Sequence, residues 1–172
     1  KAVIEERFIL KFIENGGKFL YCENLNEVKE SFNMILEENE WTYEDILIID
    51  SKLKKNFNLT LPSSSSLSET KCFVTNCENL IASDGSILIS SNQLHTKKLN
   101  EFPKNIIILT DTRKLKNTIS EGLSEIKSKN KKIPNNISTI KNFDSLKEDK
   151  DFLSYGTSSK NLYLILLEKG FI

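Results

Sequence analysis

The spacing of apolar residues predicts two amphipathic helices near the beginning of the chain. Between residues 2 and 15 apolar side chains recur three and four positions apart, and Gly16-Gly17 follows as a typical helix end. Asn24 and Glu27 resemble a capping box, and apolar side chains mark one face of a second helix that ends near Asn39. The intervening segment KFLYC is predicted to be a short strand.

Compact apolar runs predict strands. DILIID (45–50), NIIILTD (105–111) and NLYLILLE (161–168) are the clearest, and NIIILTD is typical of a strand that is buried on both faces. KCFVTNC and LIASDGSILISS predict three more strands, the last two facing each other across an Asp84-Gly85 turn. Asp111 or Thr112 is placed to cap a helix whose apolar stripe begins at Leu115.

This alternation of helices and strands predicts the fold class. It favours an open, largely parallel α/β sheet with helices on both faces and an inserted β-hairpin. A length of 172 residues fits one domain, which we assign to 1–172. Apolar residues at 38% and charged residues at 28% are typical of a globular protein.

The charge balance excludes two classes of partner. Lys plus Arg number 24 and Asp plus Glu number 24, so the chain has no net positive charge to attract a nucleic acid or an anionic membrane. No apolar run approaches the ~18 residues of a membrane helix. We therefore expect neither nucleic-acid nor membrane binding.

The cysteine and histidine content argues against a metal or a disulfide framework. Three cysteines, Cys22, Cys72 and Cys77, are odd in number and lack metal-ligand spacing, and His95 is the only histidine. This usage predicts a reducing, cytoplasmic location. Neither G-x-x-x-x-G-K-[ST] nor G-x-G-x-x-G occurs, so no nucleotide site and no cofactor is predicted.

Three polar stretches are candidate ligand sites, and each has a simpler structural explanation. Thr110 and Asp111 end a buried strand, where open α/β sheets bind ligands, although Asp111 is also a preferred helix cap. Asp84, Gly85 and Ser86 form either a hairpin turn or a binding loop. The stretch before the last strand is either an ordinary polar turn or a site that holds a small carboxylate or phosphate. The residues of that site would be Gly156, Ser158, Ser159 and Lys160.

Three segments, taken in order, resemble the LUD domain, the lactate-utilisation family. They are CFVTNCENLIASDGSILISS, FPKNIIILTD with its following helix, and FLSYGTSSKNLYLILLE, together spanning roughly residues 71–168. The matching positions are Val74, Thr75, Ile81, Ala82, Gly85, Ser86, Pro103, Ile106 to Leu109, Gly156 and Leu162. The sequence departs from the family pattern at Ser83 and Asp84 (Glu and Thr in the family), at Thr157-Ser158-Ser159 (His-Gly-Pro), and in TIKNFDSLKEDKDF.

The resemblance implies a fold like that of the CoA-transferase and ribose-phosphate-isomerase group. It also implies a role in L-lactate utilisation, the oxidation of lactate to pyruvate, alongside iron–sulfur partner proteins. Since the chain lacks cysteine sets for a cluster, it would itself be a non-redox binding or assembly subunit.

Two alternatives remain open at this point. One is an enzyme of a related sheet fold, either CoA-transferase-like with Asp84 as a carboxylate nucleophile or 5-formyltetrahydrofolate cyclo-ligase-like. The other is a scaffold that has lost its active site, which the departures at Ser83, Asp84 and Thr157 to Ser159 make credible.

Overall fold

The computed structural model describes residues 2–56, 70–129, 132–134, 137–142 and 158–168. Its helices are α1 (Ala2–Glu14), α2 (Leu25–Asn39), α3 (Ser51–Asn56), α4 (Ser91–Leu94) and α5 (Ile119–Lys129). Its strands are β1 (Lys18–Cys22), β2 (Ile46–Leu47), β3 (Cys72–Thr75), β4 (Asn79–Ile81), β5 (Ser86–Ile89), β6 (Asn105–Asp111), β7 (Leu115–Lys116), β8 (Ser138–Asn142) and β9 (Ser158–Leu167). None of the helices in these ranges is long and apolar enough to cross a membrane.

Five strands form an all-parallel sheet in the order β2-β3-β6-β9-β1. Its centre is the pairing of β6 with β9, which runs from Asn105 opposite Asn161 to Asp111 opposite Leu167. Both strands are continuous apolar runs, as expected for strands covered on both faces. The predicted parallel sheet is therefore confirmed.

A second, mixed sheet is built from the segment between β3 and β6 and the segment after β6. Its strands follow the order β7-β4-β5-β8, and β8 pairs with the first residues of β9. The long strand β9 thus belongs to both sheets. β4 and β5 pair antiparallel from Asn79 opposite Leu88 to Ile81 opposite Ser86, which confirms the inserted hairpin. Its loop spans the four residues 82–85 and is longer than the two-residue Asp84-Gly85 turn that we predicted.

The parallel sheet separates two apolar cores. Side chains alternate along β6, so that Ile106 and Ile108 enter one core while Ile107 and Leu109 enter the other. α1 and the mixed sheet cover the first core; α2 and α3 cover the second. Helices on both faces of the sheet are therefore confirmed.

The prediction for the segment after Asp111 was wrong in detail. Residues Thr112–Lys114 form a 3-10 turn, Leu115–Lys116 form the short strand β7, and the helix begins only at Ile119. Leu115 lies at helical spacing from Ile119, but its backbone pairs in parallel with Leu80 of β4 and its side chain enters the first core. Tertiary pairing therefore overrides the local helical pattern here.

Candidate functional site

The carboxyl ends of β3 and β6 lie side by side at one edge of the parallel sheet. Thr75, the last residue of β3, is opposite Ile108, so the residues that follow β3 run beside Thr110 and Asp111. Thr75, Thr110 and Asp111 are all buried, although each is polar. Ligands of open α/β sheets bind at this edge, so the polar residues here form the candidate site.

Asp111 is fully engaged by the turn that follows it. Its Oδ1 accepts hydrogen bonds from the Arg113 backbone N–H (3.0 Å) and Nε (3.2 Å), while Oδ2 accepts one from an Arg113 terminal nitrogen (3.0 Å). The hydrogen bonds and the charge of Asp111 raise the pKa of the Arg113 guanidinium. Asp111 therefore caps the 3-10 turn rather than the helix, and its negative charge is matched locally by Arg113.

The Thr110 hydroxyl, unlike the Asp111 carboxylate, is not engaged by the turn. Its side chain points to the same core as Ile108, and its Oγ1 is buried without a hydrogen-bond partner of ordinary geometry among the described residues. The polar group beside it is the Cys77 thiol, a weak donor and weak acceptor. Burial raises the pKa of Cys77 to about 12, although Lys114 and Thr110 act to lower it, so this thiol stays protonated.

Lys114 lies at the same edge of the sheet. Its backbone oxygen accepts a hydrogen bond from Asn79 Nδ2 (3.4 Å), which fixes the end of the 3-10 turn close to the start of β4. Lys114 is half-buried as a residue, and its ammonium forms no ion pair with any residue in the described ranges. By contrast, Lys116 two residues later pairs with Glu125 at 2.9 Å.

The hairpin loop uses its polar groups internally. Asp84 Oδ1 accepts hydrogen bonds from the Ser86 N–H (3.0 Å) and Ser86 Oγ (2.6 Å). The Asp84 backbone oxygen accepts one from Asn15 Nδ2 at 2.9 Å, just beyond the end of α1. Gly85 has φ +74, and a Cβ at Gly85 would lie 2.7 Å from backbone atoms of Lys11 and Phe12. Asp84, Gly85 and Ser86 are thus held as a turn packed against α1.

The third predicted group is only partly described. Gly156 lies outside the described residues. Ser158 and Ser159 lie in β9, which begins three residues earlier than predicted because its first residues pair with β8. Lys160 is buried in the same strand, and its Nζ donates to the carbonyl oxygens of Phe102 and Pro103, both at 3.1 Å. Burial lowers the pKa of Lys160 to about 8.

The structure therefore separates the predicted site residues. Lys160 lies next to Asn161, which is opposite Asn105 at the start of β6, whereas Thr110 and Asp111 end that strand. At about 3.3 Å per residue, the two ends of β6 are roughly 20 Å apart. Cys77, which the sequence analysis did not select as a site residue, lies beside Thr110 instead, and the charge of Lys114 acts on its thiol.

No metal centre is formed by the residues in the described ranges. No group of three or more His, Cys, Asp or Glu side chains there is arranged to hold a metal ion. All three cysteines are free and buried. Cys22 and Cys72 lie in the second core, while Cys77 lies in the first core on the other face of the parallel sheet.

These features define an α/β protein with a five-stranded parallel sheet, a second mixed sheet and a polar cluster at the carboxyl edge. The LUD domain family model matches residues 5–167, and the chain belongs to this family. The fold is similar to that of a DUF162 family protein from Deinococcus radiodurans, with a TM-score of 0.69 and 13% sequence identity. That match covers 96% of this chain and 97% of the other. A comparison with curated proteins finds no match.

Proposed function

We propose that this LUD-family chain acts in L-lactate utilisation, the oxidation of L-lactate to pyruvate, as a non-redox binding and assembly subunit. Electron transfer would take place in iron–sulfur partner proteins. Family membership supports the pathway, since the family resemblance implies an association with lactate oxidation.

The burial and protonation of the three cysteines are the observation that supports a non-redox role for this chain. A thiol must be ionised to bind iron or to attack a disulfide. Burial raises the pKa of Cys22, Cys72 and Cys77, and Cys77 is separated from the other two by the parallel sheet. Three protonated thiols in two different cores are poorly suited to hold a cluster or to cycle through a disulfide. Free thiols also fit the proposed cytoplasmic location.

Affinity purification of the tagged chain tests the partners. We expect iron–sulfur proteins to co-purify and the assembly to reduce an artificial electron acceptor in the presence of L-lactate. The chain purified alone should show no such reduction. Lactate oxidation by the single chain, or an active lactate-oxidising assembly that forms without it, would contradict the proposal.

Two cysteine variants test the non-redox role. Cys22→Ala and Cys72→Ala should leave the specific activity of the assembly unchanged, because neither thiol is assigned a chemical step and both lie in the second core, away from the candidate site. Circular dichroism before the assay confirms that each variant is folded. Loss of turnover in a folded variant would place redox chemistry in this chain and overturn the proposed role.

The same preparation discriminates against an enzyme of a related sheet fold. A ligand present at ~100 times its dissociation constant adds about 2.7 kcal/mol to the stability of a protein that binds it. A clear rise in melting temperature with acyl-CoA, ATP or 5-formyltetrahydrofolate would therefore favour CoA transfer or folate cyclo-ligation. We expect no such rise with acyl-CoA, because Asp84, the candidate nucleophile, has Oδ1 engaged by Ser86. We expect none with ATP or the folate either, because the sequence has no glycine-rich phosphate-binding motif.

A further inference from the structure

We propose that the outer edge of β1 is a dimerisation surface, on which a second copy of this chain pairs antiparallel through its own β1. A two-fold axis at Leu20 would then join the two parallel sheets into one continuous sheet. This inference goes beyond the proposed function and does not depend on it.

β1 is the outer strand of the parallel sheet, since it pairs with β9 alone among the described strands. Its five residues, KFLYC, include a single charge, and Tyr21 is 40% exposed. At the opposite edge of the sheet, β2 consists of only two residues. Outer strands of this length are usually protected by charges, proline or a bulge, because an unprotected one is a template for another strand. The edge of β1 is therefore suited to accept a strand.

The backbone groups on this edge are arranged for pairing. Successive residues of a strand direct their N–H and C=O groups to opposite sides. The Cys22 carbonyl accepts a hydrogen bond from the Glu168 N–H (2.9 Å), so Cys22 and Leu20 bond to the β9 side. Phe19 and Tyr21 therefore direct their backbone groups outward, and no described residue bonds to them there.

An identical strand fits these groups, because Phe19 and Tyr21 stand symmetrically about Leu20. With Leu20 on the two-fold axis, Phe19 of each copy lies opposite Tyr21 of the other, and each such pair exchanges both N–H···O bonds. The pairing ends at Glu23, whose N–H already donates to Glu27 Oε1 at 2.7 Å. A self-complementary edge of this kind favours a second copy over an unrelated strand.

The charges at the two ends of β1 are also complementary. Lys18 begins the strand and forms no ion pair within the described ranges. Glu23 and Glu27 lie just beyond its other end. In an antiparallel pair the start of one strand lies beside the end of the other, so Lys18 of each copy would approach these carboxylates of its partner.

Exposed apolar side chains of α1 flank the same edge. Burial, together with the charges of Glu168 and Glu5, raises the pKa of Tyr21, so Glu5 lies on the side of α1 that faces β1. Ile13, two turns after Glu5 on that row of the helix, is 52% exposed, and Leu10 is 63% exposed. A two-fold axis perpendicular to the sheet brings α1 of one copy towards α1 of the other. Dimerisation would therefore cover apolar surface that one chain leaves in water.

Sedimentation velocity of the purified chain, from low to high micromolar concentration, tests the dimer. We expect a species of twice the 19.7 kDa chain mass to grow with concentration. Tyr21→Pro removes an N–H that β9 does not use, and an edge strand tolerates proline at such a position. This variant should remain monomeric at every concentration, with an unchanged circular dichroism spectrum.

A pair of glutamate variants tests the flank of α1 without touching the strand. Ile13→Glu adds a carboxylate to each side of the proposed interface and should weaken the dimer roughly tenfold or more. Met34→Glu is the matched control. Met34 is 58% exposed on the side of α2 opposite its buried residues, so its variant should dimerise like the wild type.

Amide hydrogen exchange locates the contact. The amides of Phe19 and Tyr21 should exchange more slowly as the concentration of the wild type rises. Protection that does not change with concentration would show that the edge is covered within one chain, and would overturn the proposal. A wild type that stays monomeric, or a dimer that a folded Tyr21→Pro leaves intact, would overturn it as well. If Tyr21→Pro does not fold, Ile13→Glu decides, since an unchanged dissociation constant there contradicts the interface.

Discussion

The hairpin loop and the carboxyl end of β6 look alike in sequence and differ in structure. Both offer an aspartate beside hydroxyl side chains at the end of an apolar strand. In the hairpin loop, Asp84 accepts hydrogen bonds from both the backbone N–H and the hydroxyl of Ser86, so these polar groups already have partners within the turn. At the end of β6, Asp111 is satisfied by Arg113, while the buried Thr110 hydroxyl has only the weakly hydrogen-bonding Cys77 thiol as a polar neighbour. The strength of the hydrogen bonds, rather than polarity, distinguishes the candidate site from the turn.

The largest expected effect tests the hairpin as a structural element. Gly85→Ala should lower the free energy of unfolding by about 4 kcal/mol, combining roughly 1 kcal/mol of backbone strain with about 3 kcal/mol of overpacking. The added methyl group would lie 2.7 Å from the backbone of Lys11 and Phe12, which cannot easily move. Urea denaturation measures the difference.

Gly16→Ala is the matched control for this change. Gly16 also has a positive φ, 96°, and among the described residues an added Cβ there meets open space. It should cost only the strain, about 1 kcal/mol. Equal losses in the two variants would contradict the close packing of the hairpin loop on α1.

The second prediction concerns Lys160, whose ammonium donates hydrogen bonds to two carbonyl oxygens and not to a carboxylate. Its pKa in the folded chain is about 8, below the ordinary value of 10.5, so the unfolded chain binds more protons between these values. The contribution to the free energy of unfolding is therefore fully present above pH 10.5 and is lost as the pH falls to about 8. At about 1.36 kcal/mol per pKa unit, the change amounts to roughly 3 kcal/mol.

Comparison with Lys160→Met isolates this contribution, because other groups titrate in the same range. Stability curves between pH 7 and 11 should rise more steeply for the wild type than for the variant. Parallel curves would show that the ammonium is better solvated than its burial indicates.

Asp84 supplies the third prediction. Asp84→Ala should destabilise the chain by about 2 kcal/mol, because the buried N–H and hydroxyl of Ser86 lose their acceptor. Asp84→Asn keeps an acceptor oxygen and should cost less. Neither variant should change the specific activity of the assembly. A folded Asp84→Asn variant with unaltered stability but altered activity would assign the hairpin loop a functional role.

The smallest effect concerns two buried hydroxyls with opposite surroundings. Thr110→Val should raise the free energy of unfolding by about 1 kcal/mol, since it removes a buried hydroxyl whose polar neighbour is the weakly hydrogen-bonding Cys77 thiol, without changing the volume much. Ser90→Ala should lower it by a similar amount, because the Ser90 hydroxyl donates to Glu78 at 2.7 Å and accepts from the Asn92 N–H at 3.0 Å. A loss of stability in Thr110→Val would show that the Thr110 hydroxyl is stabilised more strongly than a thiol neighbour allows.

Much of the fold is predictable from the sequence, because its central strands are continuous apolar runs. β6 and β9 pair as expected, and the hairpin between β4 and β5 follows from the turn residues at Asp84 and Gly85. The segment after Asp111 is not predictable in this way. Leu115 has helical spacing to Ile119, and only its pairing with Leu80 in another element decides that it is a strand.

The candidate site is predictable only in part. The position of Thr110 and Asp111 at a strand end follows from the sequence, since the carboxyl ends of parallel strands share one edge. The roles of Lys114 and Lys160 do not, because both are lysines in polar stretches. Burial against two carbonyl oxygens occupies Lys160, and the absence of an ion pair in the described ranges distinguishes Lys114. Such differences arise from tertiary contacts that local patterns do not encode.

Reconstitution of lactate oxidation tests whether this chain is a non-redox subunit of a lactate-oxidising assembly. A fixed amount of the proposed iron–sulfur partner proteins is titrated with this chain, and L-lactate-dependent reduction of an electron acceptor is measured at each ratio. We expect no rate from the chain alone and a rate that rises until the chain and its proposed partners reach a fixed stoichiometry. A rate from the chain alone, or a partner activity that the chain does not change, would contradict it.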